Sequence, residues 1–279
     1  MNKVAAPGRI RVGIGGWSYE PWRETFYPAD VPQKLQLEYA SRRLTAIEIN
    51  STFYRLHSAA VFAKWRAQTP ENFVFSIKAP RHIVNRKVLA ESGEAIERFV
   101  GSGVAALGVK LGPILWQLAP AKRFEPRDLD RFFQLLPKTI EGLPLRHALE
   151  VRHESFLHAD FLALARRYQV ATVVADSDRY PRCADLTADF VYARLMRSAP
   201  SVTTGYPPRA LAAWAKRARL WAQGAEPDDL PRVEKSAPRP TQRDVFVFII
   251  NGAKERAPAA ACHLLSRLDG SPAARARKR

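Results

Sequence analysis

Six charged side chains lie inside stretches that are otherwise apolar: Glu48, Lys78, Glu150, Arg152, Asp176 and Arg194. A guanidinium fork or an ammonium grips a carboxylate or phosphate, and a carboxylate beside it can give or take a proton. The expected chemistry is therefore an anion clamp made by Lys78, Arg152 and Arg194. Glu48, Glu150 or Asp176 would serve as general acid or base. His153 follows Arg152 directly and could shuttle protons near neutrality, or simply bond a backbone carbonyl. His82 is a weaker candidate. Trp17, Asn50, Tyr54, Gln117 and Asn251 complete the expected ligand-binding set. The alternative is a buried ion-pair plug, which stabilises poorly because desolvation offsets the attraction.

The elements that must position these residues alternate between strand and helix patterns. Strands are expected at 10–15, 46–50, 73–78, 113–118, 147–152, 171–176, 190–196 and 245–251. Amphipathic helices are expected at 33–44, 59–68, 92–106, 126–136, 156–168, 208–223 and 258–268. Eight βα units predict the α/β class and a single TIM-like (β/α)8 barrel over 8–270, with a doubly wound sheet as competitor. The stretch from Asp176 to Phe190 is short and holds Pro181, so the helix between strands six and seven is expected to be reduced or missing. Residues 225–244 contain Pro227, Pro231, Pro238 and Pro240 and read as a surface loop. Residues 271–279 read as a disordered basic tail.

In a barrel the carboxyl ends of the strands converge on one mouth. Period two puts Glu48 with Asn50, Glu150 with Arg152, Tyr192 with Arg194, and Asp176 with Thr172 and Val174. Unpaired charge is costly at a strand–helix interface, so all are expected to face the mouth. Trp17, Tyr19, Trp22, Phe53 and Tyr54 would form an aromatic wall, for stacking a ligand or for anchoring loops. Gly13-x-Gly15-Gly16 resembles a phosphate-binding turn, but it is not a GxGxxG and reads better as a tight turn.

Composition narrows the partners. Lys and Arg number 44 against 27 Asp and Glu, a formal charge of +17. Arg275, Arg277, Lys278 and Arg279 account for only part of it. An anionic small molecule or a nucleic acid is the expected partner; the bland alternative is a generally Arg-rich chain. Lys216 and Arg219 share a helix face, more simply solvated than bound to phosphate. Cys183 and Cys262 have no metal-ligand spacing and read as reduced thiols. No His-x-His or His-Glu-x-x-His pattern occurs, so neither metal nor cofactor is expected. No apolar run nears the roughly 18 residues that span a bilayer, and no leader pattern is evident, so a cytoplasmic protein without membrane partners is expected. Oligomeric state is not fixed by the sequence.

Five segments resemble a known family: Gly15-Gly16-Trp17-Ser18-Tyr19 with Trp22 and Phe26-Tyr27-Pro28; Glu48 to Tyr54; Leu115-Trp116-Gln117-Leu118; Glu150-Val151-Arg152-His153; and Tyr192-Ala193-Arg194-Leu195. In this order they identify a YecE-like protein from about Arg11 to Leu268. The resemblance implies a TIM-type barrel and leaves activity open. Two departures stand out. Met196-Arg197 replace the His-Gly expected after the Arg-Leu pair, and Ile249-Ile250-Asn251-Gly252 replaces an Asn-Asn-Asp-like run. Three functions follow. The first is an enzyme of hydrolase or isomerase type using acid/base chemistry on an anionic ligand. The second is a nucleic-acid-binding protein, and the third a non-catalytic ligand binder.

Overall fold

The computed structural model describes residues 8–234 and 241–269. Eight parallel strands close into a barrel: β1 (Ile10–Gly15), β2 (Ala46–Ile49), β3 (Val74–Lys78), β4 (Leu111–Gln117), β5 (His147–Glu150), β6 (Ala171–Asp176), β7 (Phe190–Leu195) and β8 (Asp244–Ile249). Each strand pairs with its sequence neighbours, and β8 pairs with β1. The expected TIM-like barrel is the observed fold.

Alternation along the strands divides the core in two. Val12, Ile14, Ile47, Ile49 and Phe75 face outward into the layer beneath the helices. Ala46, Val74, Leu115, Ala148, Ala171, Val173, Phe190, Tyr192, Phe246 and Phe248 fill the barrel. Each large apolar side chain so buried contributes about 1.5–3 kcal/mol. Strand β6 turns only Ala171, Val173 and, by the same alternation, Ala175 inward, and Ala175 sits in register with Arg194 of β7. The small side chain there leaves room for the guanidinium.

The outer ring is α1 (Gln36–Ser41), α2 (Ala59–Ala67), α3 (Arg81–Val84), α4 (Gly93–Val100), α5 (Pro126–Gln134), α6 (Ala159–Arg167), α7 (Pro208–Ala222) and α8 (Ala257–Leu268). The helix expected over 33–44 is split into a 3-10 turn at Gln33–Leu35 and α1. That over 92–106 ends at Val100, because Gly103 adopts φ +117 against the Ala59 backbone, and a 3-10 stretch follows. That over 156–168 begins only at Ala159, after a 3-10 turn at Glu154–Phe156. The short α3 and a small hairpin, Thr139–Ile140 with Leu143–Pro144, were not expected from periodicity.

No helix forms between β6 and β7. Residues 183–188 instead lie back along the outer face of β6. The Thr172 hydroxyl donates to the Asp185 carbonyl at 2.5 Å, and the Thr172 amide donates to the Thr187 hydroxyl at 2.9 Å. Of the Pro-rich segment, the described residues up to Glu234 pack over this strap, and 235–240 lie outside the described residues. Val233 and Glu234 amides donate to the Asp185 carboxylate at 2.7 and 3.0 Å. Its carboxyl end is shorter than expected, since Asp244 already belongs to β8. The basic tail and the expected boundary at 270 lie outside the described residues.

Candidate functional site

Strand ends β2, β5 and β7 bring Glu48, Glu150 and Arg194 together beneath the mouth, all buried. Arg194 Nη2 and Nε donate to Glu48 Oε1 and Oε2 at 3.0 and 3.1 Å. Its Nη1 donates to Glu150 Oε2. The Tyr192 hydroxyl donates to Glu48 Oε2 at 2.7 Å, with Ser76 Oγ 2.7 Å behind it. Glu150 Oε1 accepts from Gln117 Nε2 at 2.9 Å and Arg152 Nε at 2.7 Å. All four carboxylate oxygens thus have donors from the chain itself.

Electrostatics keep Glu150 and Arg194 charged. Burial pushes the Glu150 carboxyl up, but Arg194 and Arg152 outweigh it and hold the group below its ordinary value. Burial also works against the Arg194 guanidinium, and Glu150 and Glu48 more than restore it. Burial and the Glu48 charge push the Tyr192 phenol well up, so it stays a donor. A carboxylate held ionised between two guanidinium groups has no proton to give and little basicity to take one.

Above the plug opens a cavity of about 470 Å³ lined by Gly15, Trp22, Asn50, Phe53, Tyr54, Lys78, Gln117, Arg152, Arg194, Asn251 and Lys254, among others. Gly15 leaves the Asn50 amide its place, since a Cβ would stand 2.7 Å from Asn50 Nδ2 and displace it. A 3-10 turn at Ser51–Phe53 follows β2, and its Thr52 hydroxyl donates to the Lys78 carbonyl at 2.7 Å. This ties Phe53 to the end of β3, and the Lys78 ammonium sits 4.0 Å from its ring centroid. A register shift between Phe75 and Ile77 sets Lys78 opposite Leu115, an inward residue. Such bulges re-aim side chains next to sites.

Lys78 is the exception in this cluster. Among the described residues no carboxylate lies within ion-pair distance of its ammonium, and no hydrogen bond engages it. Burial, then the Arg194 charge, pulls it down to about 8, against the smaller pull of Glu48 and Glu150. Arg152 is only partly used. Its Nε holds Glu150 and its guanidinium lies 4.2 Å from the Tyr180 ring, but Nη2 has no partner among the described residues. Lys254 covers the far side, 4.2 Å from the Tyr19 ring, and burial lowers it too. Asn251 reaches the cavity from a left-handed backbone, φ +62, which asparagine tolerates.

The structure brings Glu48, Asn50, Tyr54, Lys78, Gln117, Glu150, Arg152, Arg194 and Asn251 to one mouth. It does not bring Asp176, His153, Trp17 or His82 there. Asp176 belongs to the outward face of β6, where it accepts from the Tyr206 hydroxyl at 3.0 Å. No helix joins β6 to β7, and the recess left between β6 and α7 holds the Tyr206 hydroxyl and Arg197, which answer the outward charge. His153 Nδ1 caps its own 3-10 turn by accepting from the Ser155 amide at 3.1 Å. Trp17 packs edge-on against Trp65, 5.1 Å away, and against the outward Phe75, so it anchors a loop. His82 is exposed on α3. Lys254 was missed because nothing in a loop's spacing tells which side chains fold back over a mouth. Trp22, buried beneath Lys254 with its indole donating to the Lys254 carbonyl at 2.9 Å, was one of the wall aromatics.

Among the described residues no group of three His, Cys, Asp or Glu is placed to hold a metal ion, and no helix is long and apolar enough to cross a membrane.

Comparison with known proteins agrees with this architecture. YecE of Escherichia coli K12 is 28% identical over 149 residues, covering 53% of this chain and 50% of YecE. The chain thus spans about half the length of that relative. YunF of Bacillus subtilis 168 is 30% identical over 70 residues, 25% of this chain and 24% of YunF. A crystal structure of a DUF72 family protein from Thermotoga maritima MSB8 superposes with TM-score 0.71 at 20% identity, covering 94% of this chain and 99% of that one. SacUVDE superposes with TM-score 0.55 at 12% identity, covering 94% and 99%, a likeness of fold alone. The pattern of the family described as protein of unknown function DUF72 matches residues 11–278. The chain belongs to the DUF72 family.

Proposed function

We propose that the barrel mouth binds a small anionic ligand, phosphate- or carboxylate-bearing, gripped by Lys78 and Arg152 with Lys254 at the rim. The observation that carries this is the Lys78 ammonium, buried in the cavity wall without a carboxylate partner among the described residues. An anion entering there would supply the counter-charge that the chain withholds. The side-chain amides of Asn50, Gln117 and Asn251 would orient it.

In this reading Glu48 and Glu150 hold Arg194 and Arg152 in place, and proton traffic falls to Lys78, the mouth group nearest neutrality. That suits isomerase- or hydrolase-type acid/base chemistry better than a reaction needing a free carboxylic acid. The free thiols Cys183 and Cys262 suit a reducing, cytoplasmic setting.

The test is calorimetric titration with inorganic phosphate and pyrophosphate. Saturable binding is expected, weakened about tenfold or more by Lys78→Met, the scale of one charge-assisted hydrogen bond. Absence of binding at low salt would reject the reading. Oligonucleotides are the competing ligand. Their binding should fall steeply with salt, and if it ignores Lys78→Met it belongs to the basic surface, not the mouth.

A further inference from the structure

Resting on that anion-binding reading, we infer that Lys78 is an amine nucleophile, and that the mouth takes an anionic aldehyde or ketone and holds it as an imine. Four features of the geometry carry this. The nitrogen sits at the carboxyl end of β3 on the cavity wall. No carboxylate locks it among the described residues, whereas the neighbouring Arg194 is held by two. The cavity, about 470 Å³, has room for a small carbonyl compound beside it. Arg152 lines the same cavity with Nη2 unused, so a carboxylate or phosphate on the substrate has its own anchor.

The groups facing Lys78 are Glu48 from β2, Glu150 and Arg152 from the β5 end, and Arg194 from β7. Burial together with the two guanidinium groups outweighs the two carboxylates and brings the ammonium to about 8. At neutral pH about 300-fold more of it is then unprotonated than of an ordinary lysine at 10.5. Lysine desolvated beside cationic groups is a recognised way of making an amine reactive toward carbonyls.

The step is self-contained. The nitrogen lone pair adds to the carbonyl carbon and gives a carbinolamine. The C–O bond then breaks, both amine hydrogens leave with that oxygen as one water, and a C=N bond remains. No oxidant or reductant takes part.

The test treats the full-length protein with glyoxylate and cyanoborohydride, which reduces the imine to a carboxymethyl-amine that peptide mass mapping locates. The expected result is a saturable adduct on Lys78, forming at least about tenfold faster than on exposed Lys64 or Lys87. Its rate should rise with a midpoint near pH 8, fall when inorganic phosphate is added, and exceed that with uncharged glycolaldehyde. Lys78→Arg should abolish this adduct and spare the surface ones. Because the wild-type map is internally referenced, the test stands even if that variant folds poorly. Adducts spread evenly over the lysines would overturn the inference, as would equal rates with glyoxylate and glycolaldehyde. Phosphate binding with an inert Lys78 would reject the amine chemistry while sparing the anion site. Absence of both would reject the two together.

Discussion

Two charged recesses among the described residues, one in the barrel mouth and one on its flank, differ in how their charges are answered. On the flank where no helix joins β6 to β7, a cavity of about 310 Å³ is lined by Asp176, Arg182, Arg197, Tyr206, Arg217 and Asp229 together with apolar residues such as Val174, Trp214 and Leu230. There Arg197 lies 3.0 Å from Asp178 and 3.7 Å from Asp176, and Arg217 lies 2.9 Å from Asp229. Arg182 is exposed. These charges are paired or solvated, and such pairs contribute little. In the mouth the carboxylates are saturated by Arg194, Arg152, Tyr192 and Gln117, while the buried Lys78 has no ion-pair partner among the described residues. Pairing is what a chain does with charge it needs for structure. A buried ammonium left unpaired costs stability, and such costs concentrate where a ligand is handled.

Arg194→Met would leave two buried carboxylates facing each other, and the expected loss is about 3–5 kcal/mol by denaturant unfolding. A loss near that of a surface pair would mean the plug is not as tightly coupled as its bonds imply.

Lys78→Met should act in the opposite direction. The folded-state value of Lys78 lies below its ordinary 10.5, so between about pH 8 and 10.5 the unfolded chain binds the extra proton and stability rises with pH. Below about pH 8 the full penalty is present. The variant should therefore be more stable than wild type at pH 7, by about 2–3 kcal/mol, and the gain should shrink toward pH 10. Denaturant midpoints at the two pH values check this.

Gly15→Ala would push a methyl to 2.7 Å from Asn50 Nδ2, where the amide must shift. About 1–2 kcal/mol of stability should go, with anion binding weakened severalfold. Asp176→Asn should do least: a change within about 1 kcal/mol in unfolding and none in the mouth's anion affinity. A loss of mouth binding in Asp176→Asn would show that the two recesses are linked after all.

Much of the fold is legible in the sequence because β1 and β6 are apolar runs with sharp ends, and the observed strands Ile10–Gly15 and Ala171–Asp176 coincide with the expected ones. Pro181 in a short connection likewise announces the missing helix. Helix ends were less legible, since apolar spacing does not distinguish an α-turn from the 3-10 turns at Gln33–Leu35 and Val104–Lys110. For the site, alternation correctly grouped Glu48 with Asn50 and Glu150 with Arg152. It failed for Asp176 because period two says which residues share a face, not which face is inward. Charge need not face the mouth where partners stand on the outer side, as Tyr206 and Arg197 do for Asp176. Nor could spacing show that Glu48 and Glu150 would be fully bonded, which moves the expected acid/base role toward Lys78.

The most direct measurement is an NMR titration of the lysine side-chain nitrogens in the intact protein, with and without inorganic phosphate, assigned through Lys78→Met. One resonance, absent from the variant, should titrate near pH 8 without phosphate and move upward when phosphate is added, as an unpaired ammonium gains its counter-charge. If every lysine titrates near 10.5, or if the Lys78 resonance ignores phosphate, the mouth does not hold a free cation for an anion to meet.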